Sequence, residues 1–91
     1  MKYHVTYTDN ADKILHKMDL QIQARIYDWI NKNLEGCEYP RGQGKALKGK
    51  LKDKWSYRVG NYRIIAKIQD DKVIILITDV GHRNEIYKRQ H

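Results

Sequence analysis

Phenylalanine is absent from this 91-residue chain, and proline and cysteine occur once each. The single thiol, Cys37, has no partner for an internal disulfide and no histidine near it at metal-ligand spacing, so it reads as a structural or incidental cysteine. Long apolar runs are missing too. The longest, Val73 to Ile77, is five residues, where roughly 18–20 are needed to span a bilayer. The opening Met1-Lys2-Tyr3-His4-Val5 is not followed by the apolar stretch of a secretory signal. A cytoplasmic protein with no membrane contact is therefore expected.

Carboxylates are scarce where hard cations would need them. The second half of the chain offers only Asp53, Asp70, Asp71, Asp79 and Glu85, and His4, His16, His82 and His91 lack the spacing of zinc ligands. No Walker loop, G-x-S-x-G or G-x-G-x-x-G motif occurs. The expectation is a protein without metal or cofactor, whose chemistry on a phosphodiester, if any, is metal-free.

What is present in excess is positive charge. Eighteen Lys and Arg stand against eleven Asp and Glu, a net charge of +7. Residues 1–40 carry five basic and six acidic side chains, whereas residues 41–91 carry thirteen and five, so the excess lies in the second half. From Arg41 to Arg63 the cations are Arg41, Lys45, Lys48, Lys50, Lys52, Lys54, Arg58 and Arg63, with Asp53 the lone anion. Such a block is the electrostatic footprint of a nucleic-acid site; the plainer alternative is a solvated basic face.

Periodicity orders the elements. Lys2 to Tyr7 alternates as a half-buried strand, with Tyr3, Val5 and Tyr7 on one face. Ala11, Ile14, Leu15 and Met18 follow a helical spacing after Thr8 and Asp9, either of which can cap. Asp19 offers a second cap ahead of Ile22, Ile26, Trp29, Ile30 and Leu34, and Gly36 a stop. Residues 35–54 show no period, an unusual length of irregular chain in so small a protein. Trp55 to Val59 and Tyr62 to Ile68 then alternate around Gly60-Asn61, a hairpin turn, and Asp70-Asp71 turns into the apolar run, expected to be buried on both faces. The fold class predicted is α+β: an N-terminal strand, a two-helix hairpin, a three-stranded antiparallel meander completing one sheet, and a short tail from Gly81 to His91, all in one domain over 1–91.

A tight turn sets Arg58 opposite Arg63, Ser56 opposite Ile65 and Lys54 opposite Lys67, and places Lys54, Ser56, Arg58, Arg63, Ile65 and Lys67 on one face. Trp55, Tyr57, Val59, Tyr62, Ile64 and Ala66 form the core face. Like charges directly opposed destabilise a sheet, so the cationic pairs call for an anion between them, and a phosphate suits planar guanidinium donors. Arg58, Lys45, Lys48, Lys50, Lys52 and Lys67 are the RNA-binding candidates. Arg63 and Lys54 share that face, and the tail residues His82, Arg83 and Tyr87 follow directly where the last strand ends. RNA suits such a site because its 2′-hydroxyl is an internal nucleophile that needs only a base and cationic stabilisation of the phosphoryl oxygens.

Three runs carry a resemblance: Leu47-Lys-Gly49, Tyr57-Arg58-Val-Gly-Asn-Tyr62-Arg63-Ile-Ile65, and Asp79-Val-Gly81-His82-Arg83-Asn-Glu-Ile-Tyr87. In this order and spacing they resemble the RelE/ParE superfamily of toxins from bacterial toxin-antitoxin systems, and the Gly-His-Arg-x-x-Ile-Tyr ending resembles the RelE branch. The resemblance implies an mRNA interferase that enters the ribosomal A site, in contact with 16S rRNA, and cuts the codon there without a metal, leaving a cyclic phosphate and a 5′-hydroxyl. It implies that Arg63 holds the scissile phosphate, that Arg83 lies near the leaving group and that Tyr87 orients or stacks the substrate. Arg58 falls where relatives have a basic residue. Ser56 falls where a second strand lysine would be, which leaves the general base among His82, Lys54 and His91. The resemblance also implies a cognate antitoxin, attracted by the basic half, through which the pair binds operator DNA. Two other readings share the fold: a ParE-like poison of DNA gyrase, and a non-catalytic relative that binds RNA or antitoxin.

Overall fold

The computed structural model describes residues 1–49 and 52–82. Its elements are β1 (His4–Tyr7), α1 (Asp9–Lys17), α2 (Leu20–Asn33), a 3-10 turn (Pro40–Gln43), β2 (Lys45–Ala46), β3 (Trp55–Val59), β4 (Tyr62–Gln69) and β5 (Ile74–His82). The fold is α+β, with the strands in one sheet of order β1-β5-β4-β3-β2. Strand β1 pairs parallel with β5, and the other neighbours are antiparallel.

Both helices start at the expected caps. Thr8 Oγ1 accepts from the Ala11 amide at 3.1 Å, and Asp19 Oδ2 from the Gln21 amide at 3.1 Å, satisfying donors a helix leaves open. Ala11 and Leu15 of α1 and Ile26 and Ile30 of α2 are buried. They meet Tyr57, Val59, Ile64, Ala66, Ile75, Ile77 and Val80 of the sheet in one core. Helix α2 stops earlier than the glycine suggests, with Leu34 as its C-cap, and Gly36, at φ +79°, lies in the turn that follows.

Three expectations are corrected. Residues 35–54 are not wholly irregular, since they hold the 3-10 turn and β2, which makes the sheet five-stranded; a two-residue strand is too short to show alternation. The tail does not begin at Gly81, because β5 continues through Gly81 to His82 in register with Arg63 and Tyr62. The apolar run is buried on one face only: Ile75 and Ile77 join the core, while Ile74 and Leu76 point the other way and are half-buried.

The edge at β1 is closed by the chain leaving α2. Glu35 accepts from the Val5 amide at 3.1 Å and contacts His4 Nδ1 at 2.8 Å, and Tyr3 exchanges backbone hydrogen bonds with Gly36 and Cys37. The Val5 amide and then His4 hold the Glu35 carboxyl below its ordinary range. Among the described residues no helix is long and apolar enough to cross a membrane.

Candidate functional site

The β3–β4 hairpin builds the site. Val59 pairs with Tyr62, Arg58 with Arg63, Tyr57 with Ile64, Ser56 with Ile65 and Trp55 with Ala66, the register anticipated from the turn. Gly60 has φ +60° while Asn61 does not have positive φ, the pattern of a type II′ turn with glycine first. On the face away from the helices, Arg58 and Arg63 are thus neighbours across the ladder. Ser56 precedes them by one pleat repeat, a rise of about 7 Å. Ser56 and Ile65, at 2% and 1% exposure, lie inside the sheet between β2 and β5, so this face is not uniformly solvated.

The opposite wall comes from residues 40–45, and several contacts pin it. The buried Tyr57 hydroxyl donates to the Pro40 carbonyl at 2.9 Å, and Trp55 Nε1 donates to the Arg41 carbonyl at 3.2 Å. Burial pushes the Tyr57 hydroxyl well above the usual tyrosine range, so it stays a donor. Arg41 makes a two-pronged ion pair with Asp70 at 3.0 and 2.9 Å, and the Tyr3 hydroxyl donates to the same carboxylate at 2.6 Å. Those two donors, Arg41 first, bring Asp70 down to about 2. Arg41 therefore serves as a staple rather than as a free cation of the basic block.

Gly44 completes the wall by close approach. A Cβ there would stand 2.3 Å from the Ser56 carbonyl oxygen and 2.7 Å from Tyr57 Cδ1, so only glycine lets the chain run flat against β3. Lys45 follows directly and pairs with Ser56. The result is a cleft of about 270 Å³ lined by Gly42, Gln43, Gly44, Lys45, Ser56, Arg58 and Arg63. Inside it Arg63 Nη1 donates to Ser56 Oγ at 3.3 Å, and Arg58 Nε donates to the Gly60 carbonyl at 3.2 Å. Three cations with no carboxylate among these lining residues make an anion site, and guanidinium forks beside an ammonium match the oxygens of a phosphodiester.

The other candidates are distributed elsewhere. Lys52 and Lys67 line a separate cleft of about 340 Å³ with Arg41, Asp53, Trp55 and Ile68, where Arg41 lies over the Trp55 ring at 5.8 Å. Lys54 is half-buried just before β3, and Lys48 is exposed in the loop between β2 and β3. His82 is not brought to the arginines. It pairs with Tyr62, whose ring it meets edge-on at 5.7 Å, and lines a third cleft with Ile14, Lys17, Met18, Tyr62, Val80 and Gly81. That is the helix-covered face, because side chains alternate along β5 and Gly81, not His82, is the neighbour of Arg63. Lys50, Arg83, Tyr87 and His91 lie outside the described residues. Among the described residues, no three His, Cys, Asp or Glu side chains come together as a metal ion would need.

The role of residues 40–45 was not anticipated. Gly44 beside a two-residue strand gives no periodic signal, and the partners of its wall, from Ser56 to Asp70, lie 11 to 29 residues further along the chain.

The family described as ParE toxin of type II toxin-antitoxin system matches residues 5–87, and Toxin RelG of Mycobacterium tuberculosis is 34% identical over 89 residues, covering 98% of this chain and 100% of that protein. The chain belongs to the RelE/ParE superfamily of toxins. Among solved RelE/ParE structures, one in the toxin-antitoxin complex RelBE2 from Mycobacterium tuberculosis superposes with a TM-score of 0.82 at 31% identity, covering 91% of this chain and 100% of that one. The isolated Escherichia coli RelE toxin shares the fold alone, with a TM-score of 0.71 at 23% identity over 97% of this chain and 94% of that one.

Proposed function

We propose that this RelE/ParE toxin is a ribosome-dependent endoribonuclease that cuts mRNA in the A site and so stops translation. The observation that carries the reading is the meeting of Lys45, Arg58 and Arg63 around Ser56 in one pinned cleft. The RNA supplies its own nucleophile. A base takes the 2′-hydroxyl proton, the O2′–P bond forms, the P–O5′ bond breaks, and the departing 5′ oxygen takes up a proton. One fragment ends in a cyclic phosphate and the other begins with a 5′-hydroxyl. The protein's task is to hold the phosphate and offset charge growing on its oxygens, which Arg63 and Arg58 do without changing protonation.

By family likeness, Arg83 acts near the leaving oxygen and Tyr87 orients or stacks the substrate. With His82 on the helix side, the proton acceptor is assigned to Lys54, just before β3, or to His91. The basic face is held in check by a cognate antitoxin, and operator DNA is reached through that partner. The toxin works in the cytoplasm, where its target is.

Purified protein added to programmed ribosomes should cut mRNA at a mapped A-site position. Arg63→Ala should slow the cut on the order of a hundredfold or more. The ParE description of the matching family supports a second reading, a gyrase poison. Intact mRNA together with loss of gyrase supercoiling would establish that one instead.

A further inference from the structure

Within the cleft, Lys45 occupies a position that its local sequence does not disclose. It belongs to β2, yet the ladder sets it directly opposite Ser56, the one cleft residue of β3 that carries no charge. Directly opposed residues of an antiparallel pair have Cα atoms about 4.5–5.5 Å apart. The short Ser56 side chain is 2% exposed and accepts from Arg63, so it rises little into the cleft. The flexible four-carbon stem of Lys45 can lie over it toward the arginines.

This placement is fixed by the residue before it. Gly44 lies flat against the Ser56 carbonyl and the Tyr57 ring, and the Tyr57–Pro40 and Arg41–Asp70 contacts hold the turn that leads into it. Of the other lysines near this face, Lys67 lines the separate cleft, and Lys54 sits two residues before Ser56, away from Arg58. Lys54 is not among the residues lining the cleft.

We propose that Lys45 is a catalytic cation, acting on the reacting phosphate with Arg58 and Arg63 by reaching across Ser56 from the neighbouring strand. The proposal rests on the ribonuclease reading. Lys45 keeps its proton throughout, and its ammonium offsets charge on a phosphoryl oxygen as the O2′–P bond forms. It is a compact point charge where the arginines are planar forks, so the three together can meet separate oxygens of one phosphorane-like centre.

The test compares wild type, Lys45→Ala, Lys45→Met and the exchange Lys45→Ser/Ser56→Lys on programmed ribosomes, with circular dichroism to verify folding. Single-turnover cleavage is measured at saturating toxin, and ribosome affinity separately. Lys45 is exposed, so its single variants are expected to fold. Both should lose on the order of a hundredfold in cleavage rate, with a much smaller change in affinity. A folded exchange variant should recover most of the rate, because the cation has only moved to the opposite residue of the pair. Lys45→Ala cleaving at the wild-type rate, or losing affinity alone, overturns the proposal and leaves the ribonuclease reading intact. No cleavage by wild type overturns both.

Discussion

Arg41 and Arg63 show how little residue type alone decides. Both are arginines of the same basic block, yet Arg41 is tied to Asp70 and holds a loop in place, while Arg63 lines the cleft beside Arg58. The sequence could pair Arg58 with Arg63 because a two-residue turn fixes register locally, but the Asp70 that takes up Arg41 is 29 residues away. The side His82 takes was hidden in the sequence for a related reason: extending β5 to His82 fixes its side by alternation, and that side faces α1. His82→Ala is therefore expected to leave the cleavage rate within about threefold of wild type, since His82 lines the helix-side cleft rather than that of the arginines and a group outside the reacting site changes no transition-state contact; a loss as large as that from Arg63→Ala would identify it as the base. The Arg41–Asp70 pair gives a pH prediction. Asp70 is held at about 2, below its unfolded value near 4, so its contribution is complete above pH ~4 and is lost as pH falls through about 2. Asp70→Asn should flatten that part of the acid unfolding profile, followed by tryptophan fluorescence, because Trp55 contacts Arg41. An unchanged profile would show that the staple is not formed in solution.

At the scale of elements, helices and hairpin were legible because each carries its own signals: caps at Thr8 and Asp19, apolar spacing, and Gly60 at the turn. Two features were not. Strand β2 is defined by its partner rather than by its own two residues, and the bulge at Thr78, where β4 register shifts between Ile65 and Ala66, has no sequence mark. That bulge is tied to the start of α1, since Asn10 Nδ2 donates to the Thr78 carbonyl at 3.0 Å, and it lies in the part of β5 leading to the site. The wall at residues 40–45 closes the cleft against the hairpin, and Gly44 is its tightest point. Gly44→Ala must push β2 away from β3, and it should cost about 1–3 kcal/mol, the range of overpacking, in urea unfolding. Cleavage should fall with it, as Lys45 is displaced from Ser56. A stable, fully active Gly44→Ala would mean that the wall does not position the site.

For the molecule as a whole, one face of the sheet is given to the core and the other to charge. Helices α1 and α2 cover the first, where Leu15, Ile26, Ile30, Ile64 and Ile77 are buried. Among the described residues, Lys45, Arg58 and Arg63 gather in the cleft on the second, and Lys52 and Lys67 line a separate one. This division explains why a chain of 91 residues with one cysteine and one proline can present a dense positive surface and still fold around an apolar interior. The same division accounts for the reading proposed for this RelE/ParE toxin: a cationic cleft that supplies charge to a substrate bringing its own nucleophile. The most direct test is the chemistry of the cut ends on mRNA from programmed ribosomes incubated with the purified toxin. The account predicts a single A-site break with a 2′,3′-cyclic phosphate on one side and a 5′-hydroxyl on the other, abolished by Arg63→Ala. A 3′-hydroxyl with a 5′-phosphate, or no break at all, would contradict it.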